Sequence, residues 1–241
     1  MLFRWGRGVI PCALLLLSSE LGSAAAQTGS PAQTQTAEPK TPDVGTGSPR
    51  ILGVVPQFGV TNQQDAPPLS TKQKLSLFEK GAFDPFNFAS AGFQAGLSQA
   101  TNEFAGYGQG AAGYGKRYGA TFADQVSSNF FANFVYSSLF KEDPRYFRVG
   151  QGPVKRRLAQ AVEQEFVARK DSGGKTFAFE NILGAFTSGT LSNAYYPGTD
   201  RGVGLTISRS TIAILYGTAG NALSEFWPDI QARIFHSKKH K

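Results

Sequence analysis

The sequence predicts a mainly α-helical protein, in which a single helical-bundle domain of five or six helices follows a signal peptide and a disordered linker. Three observations support this prediction. Apolar side chains from residue 70 onwards recur at the three- and four-residue spacing of a helix face. Residues that cap and stop helices divide that stretch into segments of helix length. The predicted helices are preceded by a positively charged N-terminus, then by a short apolar run, and then by a polar segment.

The first 26 residues have the three parts of a secretory signal peptide. Arg4 and Arg7 supply positive charge, Val9–Leu17 supply a short apolar segment, and Ala24-x-Ala26 offers the small residues of a cleavage site. Because the apolar run is about half of the ~20 residues that span a bilayer, we expect cleavage rather than a retained anchor. The sequence therefore predicts an exported protein of the periplasm or cell envelope.

Composition sets the remaining domain boundaries. Residues 27–50 are rich in Gln, Thr, Ser, Pro and Gly and hold almost no large apolar side chain. Such a segment cannot bury enough surface to offset the entropy of ordering, so we expect a disordered linker. The helical domain then covers residues 51–236, and residues 237–241 form a basic tail.

The elements are predicted in chain order from their caps and stops. Residues 51–56 are predicted to be extended. Ser70 with Gln73 matches a capping box, and Asp84 with Pro85 matches the start of a second helix. The expected helices are 70–81, 84–104, 116–140, 153–170, 177–195 and 203–226, with a glycine-rich loop at 106–115 and an interruption at Pro228. Strand-forming residues between 206 and 216 leave a β alternative open for the last of them.

The long helix 116–140 has a single apolar stripe, which is typical of a helix that packs against a core. The stripe comprises Phe122, Val126, Phe130, Phe134 and Leu139. Asp124 lies beside it. If this carboxylate faces inward it needs a partner, for which Arg209 is the candidate, because an unpaired buried carboxylate is costly. A solvated Asp124 is the open alternative.

Small residues recur at four-residue spacing within the predicted helices. The helix-packing candidates are Gly92, Gly96, Gly184 and Ser188. Glycine in a helix interior costs about 1 kcal/mol relative to alanine, which is tolerable where two helix backbones must approach closely. The pattern fits tight packing in a water-soluble bundle, and it also fits helix association in lipid. Polar residues in every segment argue against a spanning helix and leave a membrane-surface role open.

Residue types exclude several chemistries. The single cysteine, Cys12, lies in the signal peptide, and the two histidines, His236 and His240, lie at the C-terminal end. The helical core therefore lacks the groups for a Ser-His-Asp or Cys-His site and for the usual zinc sites. We expect a protein without metal or cofactor that is not an enzyme. A carboxylate-dependent hydrolase stays open as a third hypothesis.

Basic residues near glycines suggest a different hypothesis, an anion site. Residues 108–113 match G-x-G-x-x-G and residues 110–116 match G-x-x-x-x-G-K, yet no predicted strand precedes them and no Ser or Thr follows the lysine. The candidate anion-binding residues are Lys116, Arg117, Arg145 and Arg148. Packing of the aromatics and local ion pairs in Asp143–Arg148 is the alternative explanation of that cluster.

Several segments together resemble a family of exported bacterial envelope proteins of acidobacterial type. The segments are Phe83–Phe86, Ser90–Gly96, Gly108–Gly119, Asp143–Arg148, Ser192–Pro197 and Glu225–Asp229. The resemblance spans roughly residues 51–235 and implies a shared fold and compartment. It transfers no activity and no functional residue.

The sequence thus predicts an exported, non-catalytic envelope protein that associates with a membrane or an envelope protein partner through glycine, alanine and aromatic helix faces. The net charge of +7 at pH 7 suits an anionic surface, whereas export argues against nucleic acid as a partner. A periplasmic module that binds an anionic ligand is the alternative, and the oligomeric state stays open.

Overall fold

The computed structural model describes residues 50–51 and 53–236. The predictions for the signal peptide, for nearly all of the linker and for the basic tail lie outside the described residues. Within them the protein is mainly α-helical, as the sequence predicts.

Short strands and longer helices alternate along the described chain. The elements are β1 (Arg50–Ile51), β2 (Val55–Pro56), β3 (Val60–Thr61), α1 (Thr71–Ala82), α2 (Pro85–Ala100), α3 (Gly110–Asn129), a π-helical segment (Phe130–Tyr136), α4 (Ser137–Leu139), β4 (Glu142–Asp143), β5 (Tyr146–Phe147), α5 (Val154–Phe166), β6 (Val167–Lys170), β7 (Lys175–Phe177), α6 (Phe179–Leu191) and α7 (Val203–His236). Strands β1 and β2 pair antiparallel, β3 and β5 pair parallel, and β4-β6-β7 form an antiparallel sheet.

The two helix starts that the sequence marks are present. The Ser70 hydroxyl accepts a hydrogen bond from the Gln73 backbone N–H, and the Gln73 side chain accepts one from the Ser70 backbone N–H. Asp84 caps α2, with Pro85 at its first position. These local bonds satisfy backbone donors that the first helical turn leaves without partners, which is why short-range sequence signals identify them.

Two predicted boundaries are wrong because distant residues fix the local structure. The predicted loop 106–115 is already helical from Gly110, and the buried Arg117 side chain donates to the carbonyl oxygens of Gly108 and Gly113. The predicted helix 153–170 ends at Phe166, because β6 pairs with both β4 and β7. Neither Arg117 nor the strand pairing is visible as a local signal.

Helix α7 runs without interruption through Pro228, so both the predicted break and the β alternative are wrong. Proline lacks an N–H, and the carbonyl oxygen of residue 224, four positions earlier, therefore loses its helical donor. In the fold the Nε of Arg148 donates to the Ser224 carbonyl oxygen at 2.6 Å. A distant arginine thus replaces the missing helical hydrogen bond.

The helices pack with polar side chains inside and apolar side chains outside. Helix α6 packs against α3, the π segment and α7, while α5 packs on α7 and α2 on α3. Among the phenylalanines whose side chains the structure describes, only Phe147 is buried. The buried polar and charged residues of α3, α5, α6 and α7 outnumber their buried apolar residues, most of which are alanines.

The long helix shows this inversion most clearly. No member of the apolar stripe Phe122, Val126, Phe130, Phe134 and Leu139 is buried, and Leu139 is 65% exposed. The buried face of the same helix carries Arg117, Thr121, Asn129, Asn133 and Ser137. The apolar stripe is therefore half-buried, with Phe122 stacked on Phe88 and Phe130 against Phe78, whereas the fully buried face of the helix is the polar one.

Helix α5 repeats the arrangement. Its outer face holds Val154, Leu158, Val162 and Phe166, all exposed, and its inner face holds Arg157, Ala161 and Glu165, all buried. Full burial of such a side chain contributes about 1.5–3 kcal/mol, and each of these side chains forgoes the part that corresponds to its exposed surface. An exterior of this kind is typical of proteins that contact something other than water.

Candidate functional site

A cavity of about 170 Å³, lined by both polar and apolar side chains, lies between α2, α3, the π segment, α5, α6 and α7, with β5, β6 and the first described segment at its border. Amide side chains line much of it, namely Gln94, Gln125, Asn129, Gln164, Asn181 and Asn221. Four carboxyl groups and three arginines also face it: Asp124, Asp143, Glu165, Glu180, Arg145, Arg169 and Arg209. An apolar wall from α7 includes Ile212, Ala213 and Ile214. The cavity is the candidate functional site.

Asp124 is the centre of a hydrogen-bond network at one end of the cavity. Its Oδ1 accepts from the Ser192 and Tyr195 hydroxyl groups, each at 2.6 Å. Its Oδ2 accepts from the Tyr196 hydroxyl at 2.6 Å and from the Nε of Arg209 at 3.1 Å. Asp124 and Arg209 are therefore paired, and the solvated alternative is wrong.

The tyrosines of this network remain protonated. Burial and the nearby Asp124 carboxylate raise the pKa of Tyr195 well above its ordinary value. Burial likewise raises the pKa of Tyr196, although the nearby Arg209 acts in the opposite direction. Both hydroxyl groups therefore act as donors to Asp124, and the network holds α3, α7 and the turn at residues 192–196 together.

A second carboxylate, Glu225 of α7, is fully buried. Its Oε1 accepts from the Arg157 Nε at 2.7 Å and from the Gly150 backbone N–H at 2.8 Å. Its Oε2 accepts from the Tyr146 hydroxyl at 2.8 Å and from the Val149 backbone N–H at 3.0 Å. All acceptor positions face protein donors, so this cluster joins α5 and α7 to β5 and the following loop.

Glu142 and Glu180 form a pair of carboxyl groups beside the cavity. The Glu142 carboxylate accepts from the Glu180 backbone N–H at 3.0 Å, and the two carboxyl groups lie close enough to influence each other's charge. Only 1% of Glu142 and 2% of Glu180 is exposed. The Oε2 of Glu180 is buried and has no hydrogen-bond partner among the described residues.

Lysine and arginine side chains do not neutralise this pair. The nearby Lys74 ammonium donates to the backbone carbonyl oxygens of Ser137 and Glu142 and forms an ion pair with Asp171 at 2.7 Å. Across the described residues, no ion pair within 4 Å involves the Glu142 or Glu180 carboxyl group. The pair therefore keeps a proton: burial, together with the hydrogen bond and charge of Glu142, raises the pKa of Glu180 to about 10.

The proton on Glu180 gives stability a predictable pH dependence. An unfolded glutamate has a pKa near 4.5, so unfolding between pH 4.5 and about 10 releases this proton. The contribution of Glu180 is fully present below pH 4.5, and the free energy of unfolding falls as pH rises. We expect Glu180→Gln to flatten this fall and to be more stable than the native chain near pH 9, as measured by urea unfolding.

The exposed Glu79 on α1 supplies the matched control. Glu79→Gln removes a carboxylate without touching the cavity, so its stability should fall with pH as the native chain's does. An unchanged fall in Glu180→Gln would contradict the shared proton.

The structure separates the four predicted anion-binding residues. Lys116 is exposed, whereas Arg117 is 1% exposed. Each guanidinium nitrogen of Arg117 donates to oxygens of the fold, in residues 99–113. Arg145 pairs with Asp143, also donates to the Pro67 carbonyl oxygen, and alone of the four lines the cavity.

Arg148 is the fourth of these residues, and it too is bonded within the fold. Its guanidinium donates to the Ser224 carbonyl oxygen and to the side-chain oxygens of Gln57 and Asn62. The three arginines therefore hold loops and helices together, Lys116 lies on the surface, and the four cations do not converge on one open site. The glycine motif at 108–113 likewise follows a helix rather than a strand.

The four predicted packing residues lie at contacts within the chain. Gly92 and Gly96 of α2 face the Tyr114 ring of α3. A Cβ at Gly184 would lie 2.8 Å from the Ala132 backbone nitrogen, so α6 meets the π segment at backbone contact. The Ser188 hydroxyl hydrogen bonds to the Ser127 hydroxyl at 2.8 Å. Small residues here join neighbouring helices of the same molecule.

Sequence reasoning missed the Glu142–Glu180 pair, although part of the signal was present. Glu180 precedes Gly184 and Ser188 at four-residue spacing, so it lies on the small-residue face that α6 turns inward. An acidic residue in such a stripe indicates a buried carboxyl group. Its partner Glu142 lies 38 residues away in a short strand, where no spacing rule applies.

A surface feature was also missed, which we call the aromatic–lysine edge. It comprises Phe140, Phe166, Phe177 and Phe179 with Lys141, Lys170 and Lys175, all exposed. The Phe179 ring lies 5.2 Å from the ring of Phe140 and 5.2 Å from that of Phe177. The β6–β7 hairpin and its pairing with β4 bring these residues together.

No group of three or more His, Cys, Asp and Glu side chains among the described residues is arranged to hold a metal ion. No helix among them is long and apolar enough to cross a membrane.

Comparisons with protein-family models, with curated proteins and with solved structures give no match for this chain. The resemblance to exported envelope proteins therefore stays a prediction, and the function is argued from the residues themselves.

Proposed function

We propose that this chain is an exported, non-catalytic cell-envelope protein that binds an anionic membrane surface through its aromatic–lysine edge. The observation that supports this most directly is the exposure of four phenylalanines beside three lysines at that edge, on a protein whose helices turn polar faces inward.

The apolar part of the edge supports insertion between lipid headgroups. The exposed fraction is 48% for Phe177, 40% for Phe179 and 39% for Phe166. Phe166 ends α5, and its carbonyl oxygen accepts from the Ala178 N–H, so the hairpin keeps these rings at one end of the molecule. In water, exposure of such rings costs free energy. At a membrane interface the same rings reach the boundary between headgroups and acyl chains.

The lysines support an anionic lipid as the occupant. Lys170 lies opposite Glu142 in the sheet, and the carbonyl oxygen of Lys141 accepts from the Asp171 N–H at 2.8 Å. The backbones of both lysines are thus held at the edge that carries the rings. A lysine near an anionic surface contributes about 1 kcal/mol to binding.

The distribution of charge and apolar surface over the whole molecule also favours lipid over a single protein partner. The exposed residues of the described chain include ten lysines and arginines but only four aspartates and glutamates. Exposed apolar side chains occur on α2, α3, α5, α6 and α7 rather than in one patch.

The other hypotheses have weaker support. An anion-binding module would need free cations that converge, and Arg117, Arg145 and Arg148 are bonded within the fold. A carboxylate hydrolase of the glycosidase type needs its two carboxyl groups at least about 5 Å apart, with substrate between them. The Glu142 carboxylate accepts directly from the Glu180 backbone N–H, and both side chains are buried, which does not fit that arrangement.

Vesicle sedimentation tests the membrane proposal. We expect the protein to sediment with vesicles of phosphatidylcholine containing phosphatidylglycerol and to bind pure phosphatidylcholine much more weakly. The double variant Phe177→Ser and Phe179→Ser should bind at least tenfold more weakly, because two buried rings contribute more than 1.4 kcal/mol. Lys141→Gln with Lys170→Gln should reduce the dependence on phosphatidylglycerol.

Phe83 provides the matched control, since it is 60% exposed at the end of α1, outside the edge. Phe83→Ser should bind as the native chain does. Protein that stays in the supernatant with anionic vesicles, or an equal loss in Phe83→Ser, would refute the proposal. Fractionation of expressing cells tests export: the envelope fraction should contain a chain that begins at Gln27.

A further inference from the structure

Two asparagines that line the cavity are held in place through their side-chain nitrogens. The Nδ2 of Asn181 donates to the Glu165 carbonyl oxygen at 3.1 Å, and the Nδ2 of Asn221 donates to the Glu165 Oε2 at 3.4 Å. The Oδ1 of each asparagine accepts no hydrogen bond from the described residues, and neither oxygen is among their sealed, unpartnered polar atoms. Both oxygens are therefore accessible acceptors on residues of the cavity wall.

Glu165, to which both asparagines are bonded, is itself fixed by the packing of α5 on α7. Only 5% of the residue is exposed. A Cβ at Gly217 of α7 would lie 2.5 Å from each carboxylate oxygen of Glu165, so the carboxylate rests directly on the α7 backbone. The two acceptors are thus anchored to a rigid contact between helices, and a ligand that uses them pays little for ordering side chains.

A donor and two hydroxyl groups on the same wall are also available. Asn129 is 9% exposed, and its Oδ1 accepts from the Asn133 Nδ2 at 3.0 Å, whereas its own Nδ2 has no partner among the described residues. The hydroxyl groups of Ser128 and Ser224 likewise have none, and these three groups are not sealed from water. The cavity therefore presents neutral donors and acceptors in addition to its charged groups.

The charged groups of the lining balance one another. Arg145 is paired with Asp143 at 2.6 Å, and Arg209 is paired with Asp124 at 3.1 Å. The lining holds one further arginine and one further carboxylate, and its fourth carboxyl group, on Glu180, keeps its proton at neutral pH. An ion that entered this cavity would lack a counter-charge, and an uncompensated buried charge is costly. The lining therefore favours a neutral occupant.

The size and the apolar part of the cavity narrow the class of ligand further. A volume of about 170 Å³ admits on the order of a dozen water-sized groups, which matches a six-carbon sugar. Ile212, Ala213 and Ile214 of α7 and Ala185 of α6 supply an aliphatic surface. A sugar has hydroxyl groups around its edge and C–H groups on its faces, so it fits a cavity that is lined by both polar and apolar side chains.

We propose that this cavity binds a neutral polyhydroxylated molecule of monosaccharide size, whose hydroxyl groups donate to Asn181 and Asn221 and accept from Asn129. Each hydroxyl group both donates and accepts, so one class of ligand satisfies the two amide oxygens, the amide nitrogen and the serine hydroxyl groups together. The C–H face of the ligand lies against the aliphatic surface of α7.

Calorimetric titration of the full chain tests this inference with D-glucose, D-galactose, D-mannose and myo-inositol as probes. We expect saturable binding of at least one of the four, with one site per chain. Gluconate and glucosamine place a charge on a sugar skeleton, and cyclohexanol keeps a six-membered ring with a single hydroxyl group. All three should bind at least tenfold more weakly than the best of the four probes.

Variants of the wall separate this site from binding elsewhere on the protein. Asn181→Leu and Asn221→Leu should each weaken binding about tenfold, because a ligand hydroxyl group is then buried without its acceptor. Ala213→Leu leaves every polar group in place but fills part of the cavity, so it should abolish binding. Gln151→Leu removes an amide from an exposed loop and should bind as the native chain does.

Circular dichroism checks that each variant is folded, and Ala213→Leu decides if the asparagine variants are not. Absence of binding by all four probes, binding of glucosamine or gluconate as tight as that of the best probe, or unchanged binding in Ala213→Leu would overturn the inference. The titrations contain no lipid, so their outcome is independent of membrane binding.

Discussion

Asp124→Asn should destabilise the protein by about 3–5 kcal/mol at neutral pH. The change leaves the Arg209 guanidinium, which is largely buried, without its counter-charge, and removal of one partner of a buried ion pair has this magnitude. The new amide nitrogen is also a donor, and it would meet other donors, because Tyr196 and Arg209 both donate to Oδ2 in the native network. Urea unfolding followed by circular dichroism measures the loss.

A double variant separates the charge from the packing. Asp124→Asn with Arg209→Met removes both charges, so it should recover a large part of the lost stability. Asp65→Asn, on an exposed loop, is the control and should change stability by less than about 0.5 kcal/mol. A loss below 1 kcal/mol in Asp124→Asn, or no recovery in the double variant, would contradict the role given to the pair.

Glu225→Gln is expected to have an effect of the same size, about 3–5 kcal/mol at neutral pH. Glu225 is fully buried, and its two oxygens accept from Arg157, Tyr146 and two backbone N–H groups. A glutamine can satisfy only some of these donors, and it leaves Arg157 paired with the partly exposed Asp229 alone. Urea unfolding at neutral pH again measures the change.

The same variant should also change the response to acid. Burial alone would raise the pKa of Glu225, but the Arg157 guanidinium, the Tyr146 hydroxyl and the two backbone N–H groups lower it below its ordinary value of 4.5. The stability from Glu225 is therefore present above pH 4.5 and is lost as pH falls through the lowered pKa. The difference in the free energy of unfolding between the native chain and Glu225→Gln should therefore become smaller in acid. Glu79→Gln should show no such narrowing, and a constant gap in Glu225→Gln would contradict the assignment.

Local signals predict the helical fold well, because caps and helix periods act within a few residues. Ser70, Gln73, Asp84 and Pro85 identify two helix starts, and the four-residue spacing of Gly184 and Ser188 identifies an inward face. The spacing of apolar residues likewise identifies the helices. These features depend only on residues that are close in sequence, so one sequence is enough to identify them.

Which face of each helix is buried could not be predicted in the same way. A stripe such as that of α5, with Val154, Leu158 and Val162, is equally apolar whether it meets a core or a lipid, so periodicity alone does not say which side is buried. The candidate site depends on contacts across long sequence separations, as between Glu142 and Glu180 or between Asp124 and Arg209. Such pairs become visible only when the fold brings them together.

The bond from Arg148 to the Ser224 carbonyl oxygen has a mechanical consequence for the end of α7. A proline within a helix ordinarily creates a joint at which the two halves swivel independently. Here the Arg148 guanidinium, which donates to the Ser224 carbonyl oxygen, also donates to the side-chain oxygens of Gln57 and Asn62. Both residues belong to the first segment of the described chain. The part of α7 just before Pro228 and the entry of the chain into the bundle are thus fastened to the same side chain. Because Ser224 precedes the proline, the same guanidinium that satisfies the freed carbonyl oxygen anchors this part of the helix to the first described segment.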